Sequence, residues 1–251
     1  MILAILQARC SSSRLPNKVL KPILGVPMIA RQLERVQRAH LIDHLVVATS
    51  DSSSDDPLAA LCEDLQISCF RGSLNDVLDR YYQAAASINP DHIVRLTGDC
   101  PLADPSVIDM VIEAHLLSGA DYTANCVQSS FPDGLDVEIC KFSVLQQAWE
   151  EAKLVSQREH VTLFINQQSD RFKVHHVHAR EDLSHLRWTV DNPEDFELVS
   201  RIYFNLYRQN PHFTTEDVLA LISKEPELFN INQHLERNEG LQKSLQNDQS
   251  I

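Results

Sequence analysis

Short apolar runs alternate four times with helix-period segments in the first half of the chain, and few architectures accept that order. The runs cover residues 2–6, 44–49, 67–70 and 92–96. They have strand length and little polar alternation, as expected of strands covered on both faces. Met28, Ile29, Leu33 and Val36 recur at helical spacing after the first run. Leu58, Leu61, Cys62 and Leu65 do so after the second, with Asp56 and Pro57 as a cap and first-turn proline. Val77, Leu78, Tyr81 and Tyr82 mark a third helix, and Pro105 opens a fourth that carries Ile108, Val111, Ile112 and Leu116. Such a chain forms a mostly parallel sheet with right-handed crossovers and helices on both faces. The expected class is a Rossmann-like α/β domain. Its ligand crevice lies beyond the carboxyl ends of the strands, which puts residues 9–18, Thr49, Arg71 and Asp99 on one rim.

The second half is less regular. Strands are expected at 121–123, 136–140, 172–178 and 187–190, the third with a polar alternate face suited to an edge or a subunit contact. Residues 125–135 form a loop with a Pro132-Asp133-Gly134 turn signal. Helices are expected at 144–153, at 158–167 behind a capping box in Ser156-Gln157-Arg158-Glu159, after Asn192-Pro193, and at 215–224. From Gln233 the chain is polar with weak periodicity and reads as a frayed tail. The expected organisation is one domain over 1–232, with a small α+β insertion at about 125–180 and the tail at 233–251.

Charge narrows the function. A net charge of −13 and a pI near 5.2 argue against a general nucleic-acid or anionic-membrane surface. Against that background, Arg9, Arg14 and Lys18 crowd one loop among Ser11, Ser12 and Ser13. Hydroxyls, backbone N–H groups from Ala8 onward and three cations suit a polyphosphate, although a solvated basic loop has the same composition. Asp99 and Asp191 each end an expected strand. Two such carboxylates, with phosphate oxygens and waters, make an octahedral magnesium site; locally, each also fits a turn or a cap. His175, His176 and His178 look metal-like, but strand alternation leaves only two on one face, too few for zinc. Neither G-x-x-x-x-G-K-[ST] nor G-x-G-x-x-G occurs. Six cysteines without a C-x-x-C pair, no leader-like segment and no run of membrane-spanning length give the expectation of a cytoplasmic protein with reduced thiols.

The stretch I-L-Q-A-R-C-S-S-S-R-L-P-N-K-V-L, followed by Gly25-Val26-Pro27-Met28-Ile29 and Leu33-Glu34-Arg35, resembles the sugar-acid cytidylyltransferases. These are the CMP-KDO synthetases and acylneuraminate cytidylyltransferases, and the likeness is greatest to their spore-coat polysaccharide (SpsF-like) branch. It implies a nucleotide-diphospho-sugar transferase fold and a transfer of CMP from CTP to a sugar acid. In that case Arg9, Arg14 and Lys18 with Ala8, Ser11 and Ser12 face the triphosphate, and Asp99 and Asp191 hold Mg2+. Thr49 and Ser50 lie where the family places cytosine and ribose, with Arg71, Asn75, Asp76 and Arg80 as further candidates. Residues 131–138 match the spore-coat branch. They put Asp133, Asp136 and Glu138 on the acceptor side, joined by Glu159 and His160. The likeness also implies a homodimer through the segment after the nucleotide domain. Two other readings stay open. One is a glycosyltransferase, although Thr97-Gly98-Asp99-Cys100-Pro101 holds no D-x-D; the other is a nucleotide-binding module without catalysis.

Overall fold

Ile2, Leu3, Ala4, Ile5 and Leu6 are all buried, so the first apolar run is a strand with no solvent face. A computed structural model describes residues 1–250. The chain runs from β1 (Ile2–Gln7) through a minimal hairpin, β2 (Pro22–Ile23) and β3 (Val26–Pro27), into α1 (Met28–Val36). It continues through β4 (His44–Ser50), α2 (Asp56–Asp64), β5 (Ser68–Gly72), α3 (Val77–Ala86), β6 (His92–Thr97) and α4 (Pro105–Ser118). Then come β7 (Tyr122–Ala124), β8 (Glu138–Lys141), α5 (Phe142–Glu151), α6 (Val155–Glu159), α7 (Leu163–Asn166) and β9 (Val174–His176). The last helices are α8 (Pro193–Leu206), α9 (Thr215–Lys224) and α10 (Glu239–Gln246).

The central sheet has seven strands in the order β5-β4-β1-β6-β8-β7-β9. Only β8 runs against its neighbours; it pairs antiparallel with both β6 and β7. Alternation along β1 divides the core. Ala4 and Leu6 pack with α1, α4 and α8, through Met28, Leu33, Ile108, Ile112 and Ile202. Leu3 and Ile5 pack on the other face with Leu78 and Tyr81 of α3 and Leu145 of α5. Burying each of the larger aliphatic side chains stabilises the fold by about 1.5–3 kcal/mol, which fixes β1 at the centre. The chain moves outward on one side from β1 to β4 and β5, and on the other to β6. The switch point is therefore between the ends of β1 and β6, the place where such sheets open a crevice. The two strand ends touch there: Gly98 N–H donates to Gln7 O at 2.7 Å. A side chain at Gly98 would come within 2.8 Å of Ala8 Cβ, so the approach needs glycine.

Three expected elements take a different form. Residues 158–167 are not one helix, because α6 ends at Glu159 and Val161 takes φ 43° before α7 begins. The break lets Val161, Phe164 and Ile165 all reach the core. The side chain of Gln157 accepts the N–H of Leu154, and Ser156 is turned away to Asp248. Residues 187–190 are extended but form a single bridge, Asp133 to Arg187, and no ladder. The polar segment after Gln233 is not frayed. It carries α10 and is pinned across the mouth of the crevice, Ser156 Oγ donating to Asp248 at 2.6 Å and Val155 N–H to Gln249 O at 2.9 Å.

Candidate active site at the sheet rim

An open cleft of about 770 Å³ lies along the carboxyl ends of β1 and β6 and reaches the start of β8. The loop after β1 forms one wall. Its shape is set by Asp55, a buried carboxylate at the start of α2 that sequence reasoning did not single out. Asp55 accepts the N–H of Cys10 at 2.7 Å and both the N–H and hydroxyl of Ser50. Burial opposes its charge, but these donors outweigh burial and hold its pKa below the usual carboxylate value. The loop is thereby tied to the end of β4.

Lys18 is the centre of the site. Its side chain is only 11 % exposed, and its ammonium donates to Asp191 at 2.9 Å, Asp99 at 3.3 Å and Val190 O at 2.8 Å. Burial alone would lower its pKa, but the two carboxylates outweigh burial and raise it. Asp99, where burial again opposes, is held down to about 2 chiefly by Lys18. Arg14 adds a second cation, 3.1 Å from Asp191, and Arg9 lines the same wall. The early cationic loop and two acids distant in sequence thus come together here.

Among the described residues, no group of three or more His, Cys, Asp or Glu is arranged to hold a metal. Two carboxylates facing one cationic position nevertheless fit magnesium, which keeps waters and substrate phosphates and asks for only one or two protein carboxylates. In the structure that position belongs to the Lys18 ammonium.

Other expected site residues separate. Ala8 and Ser12 line the cleft with Arg9, whereas Ser11 does not. Thr49 and Ser50 are buried and do not line it; Ser50 serves Asp55. Arg71 turns outward to Asp56 at 2.7 Å and braces the carbonyls of Ser50 and Ser52. Asp76 caps α3 and is bound by Arg158 at 2.6 Å, while its neighbours Asn75 and Val77 line the cleft.

Asp133, Asp136, Glu138, Glu159 and His160 all line the far wall. Their freedom differs. Both oxygens of Glu138 are taken, one by Arg95 and one by Tyr122 and Thr162. Burial works against its charge, but Arg95 and the two hydroxyls outweigh burial and keep its pKa low. Asp133 accepts from Arg187 at 2.9 Å, and its main chain is stitched to residues 186–189. Gly134 makes that stitch possible: at φ 110° its Cα stands where a side chain would meet Thr189 N at 2.5 Å. Asp136 accepts from Arg237 at 2.7 Å and keeps 28 % of its side chain open. Burial, with Asp133 and Glu138 nearby, outweighs Arg237 and pushes its pKa up to about 7. His160 presents a buried Nε2 without a hydrogen-bond partner.

Sequence reasoning also missed Arg187 and Arg95. Arg187 is buried and bridges Asp133, Asp191 and Asp195 at 2.9, 3.2 and 2.9 Å. Two-residue alternation in Arg187-Trp188-Thr189-Val190-Asp191 already put it on the face of Asp191. Arg95 interrupts the apolar strand between Val94 and Leu96, and that lone charge was its signal.

The chain is similar to known proteins over most of its length. A family model described as cytidylyltransferase matches residues 3–233. The spore coat polysaccharide biosynthesis protein SpsF of Bacillus subtilis is 34 % identical over 233 residues, 90 % of this chain and 95 % of that protein. A solved cytidylyltransferase of Leptospira borgpetersenii superposes with a TM-score of 0.87 at 31 % identity, covering 95 % of this chain and 99 % of the other. The 3-deoxy-manno-octulosonate cytidylyltransferase of Syntrophotalea carbinolica is 39 % identical over 111 residues, 44 % of each chain.

Proposed function

The chain belongs to the cytidylyltransferase family, and on that footing we propose that it transfers CMP from CTP to a hydroxyl of a sugar acid, releasing pyrophosphate. The observation that carries the reading is the meeting of Lys18 with Asp99 and Asp191 at one point in the cleft. The reaction is an in-line displacement at the α-phosphorus, which asks mainly for positioning and charge neutralisation. Arg9, Arg14 and Lys18 neutralise the triphosphate. The two guanidinium forks fix phosphate oxygens, and the flexible ammonium follows the departing pyrophosphate. Asp99 and Asp191 would hold a magnesium ion, which when bound would supply positive charge against the reacting phosphate. Asp136 and His160 meet the acceptor, since they keep polar atoms without partners among the described residues, while Glu138 and Asp133 hold the wall in shape.

A sugar acid is favoured as acceptor by the likeness to 3-deoxy-manno-octulosonate cytidylyltransferases, although it spans only about half of the chain. The likeness to SpsF supports a role in surface polysaccharide synthesis. No helix among the described residues is long and apolar enough to cross a membrane. We place the enzyme in the cytoplasm as a homodimer, with the edge strand β9 as the first surface to test for pairing. Pyrophosphate release should be measured with each of the four nucleoside triphosphates, magnesium and a panel of sugar acids. CTP with one sugar acid should give product, and Asp99→Asn should lower turnover by about 10²–10³. Product formed only from a finished sugar nucleotide would show a glycosyltransferase instead, and CTP binding without product across the panel a binding module.

A further inference from the structure

The segment from Glu236 to Ser250 crosses the cleft and is held almost wholly by polar contacts. Glu236 O accepts from Arg187 at 3.1 Å, and Arg237 reaches Phe131 O and Asp136. Ser244 donates to Glu159 at 2.8 Å, and Asp248 accepts both the N–H and the hydroxyl of Ser156. α10 buries none of its residues. A segment with no fully buried apolar side chain, held chiefly by single polar contacts, opens at low free energy compared with the sheet. Near the start of this strap, Glu239 Oε2 accepts from Arg14 Nη1 at 2.7 Å, while the second nitrogen of the same guanidinium pairs with Asp191. Glu236, Asn238, Glu239, Gly240 and Leu241 line the cleft. A carboxylate thus sits on the cation fork of the loop in the geometry of a phosphate oxygen.

We propose that residues 236–250 form a strap whose Glu239 occupies Arg14 in place of a substrate phosphate, so that strap docking and polyphosphate binding compete for that arginine. The proposal rests on the reading of the loop as a polyphosphate site but not on the choice of base or acceptor. Binding a triphosphate displaces Glu239, loosens the strap at the start of α10 and opens the acceptor wall that Arg237 and Ser244 cover. Loss of the nucleotide lets the strap return.

The test is calorimetric titration with two probes, magnesium CTP and inorganic tripolyphosphate. The proteins are the wild type, Glu239→Gln, the anchor variant Ser244→Ala/Asp248→Asn, and Glu216→Gln on α9 as a control for loss of one surface charge. Glu239→Gln should bind both probes about two- to five-fold more tightly, the range of a partly exposed ion pair. The anchor variant, which leaves the Glu239 carboxylate in place, should also bind more tightly, and the control should match the wild type. Amide hydrogen exchange across 236–250 should quicken when CTP is added. Unchanged affinity in Glu239→Gln, weaker binding by the anchor variant, or slowed exchange under CTP would each overturn the proposal; the last two would show a lid that closes on its ligand. Tripolyphosphate binding without CTP binding would remove the proposed function and leave the strap to be judged on tripolyphosphate alone. Binding of neither probe by any variant removes both.

Discussion

Replacing Lys18 with Met tests the central contact without emptying the space it fills. The ammonium is shared by Asp99 and Asp191, whose accepting oxygens therefore lie within about 6 Å of each other once it is gone. Two unit charges at that separation repel by about 1–3 kcal/mol for effective dielectric values between bulk water and a protein surface. The two side chains are 27 % and 22 % exposed, and Arg14 and Arg187 still face Asp191, so the lower half of that range applies. A loss of about 1–2 kcal/mol lowers the melting temperature of a chain this size by about 2–8 °C. Magnesium should reverse the loss, because in the variant a divalent ion enters between the carboxylates without displacing an ammonium. Melting curves at low ionic strength, in chelator and in excess magnesium, read both effects. A Lys18→Met protein that melts like the wild type in chelator, or that gains no more from magnesium than the wild type, would refute the shared-cation account.

Other consequences can be measured separately. Gly134→Ala should cost about 2 kcal/mol or more in denaturant unfolding, since the new Cβ meets backbone atoms of Trp188 and Thr189 that cannot swing aside. Arg187→Met should cost about 3–5 kcal/mol by the same measurement, because three carboxylates lose one buried cation. Asp136 gives a pH signature. Its folded-state pKa of about 7 lies above the ordinary 3.8, so the folded chain resists ionisation and stability falls as pH rises between those values. That part of the fall should vanish in Asp136→Asn, which should equal or exceed the wild type in melting temperature above about pH 7.

The parallel half of the fold was legible because its strands are buried on both faces and its helices repeat with clear periods. β1, β4, β5 and β6 all begin and end within two residues of the sequence expectation. The meeting of Lys18 with Asp99 followed from the rule that strand ends share a rim, whereas Asp191 arrives there on an extended segment outside the sheet. Thr49 and Arg71 were placed on that rim by the same rule and are not in the cleft, since a strand end has two sides and the sequence does not tell which side faces the ligand. The break at Val161 was hidden because residues 158–167 keep enough apolar positions to look like one helix. The order of the final segment was hidden for the opposite reason: α10 has only Leu241 and Leu245 as apolar residues and fully buries neither, and its anchoring partners are single polar atoms far away in sequence. Periodicity cannot report such contacts.

The reversal of β8 has a consequence for how this fold can diversify. Because β8 runs against β6, its first residue, Glu138, lies beside Arg95, near the carboxyl end of the parallel strands. The connection from β7 therefore discharges onto the same edge as the cationic loop, yet it belongs to a separate stretch of chain. Insertions or replacements between Asn125 and Val137 can remodel one bank of the crevice while the opposite bank, anchored by Asp55, stays as it is. Descendants of one ancestor could thus change what they modify and keep what they modify it with.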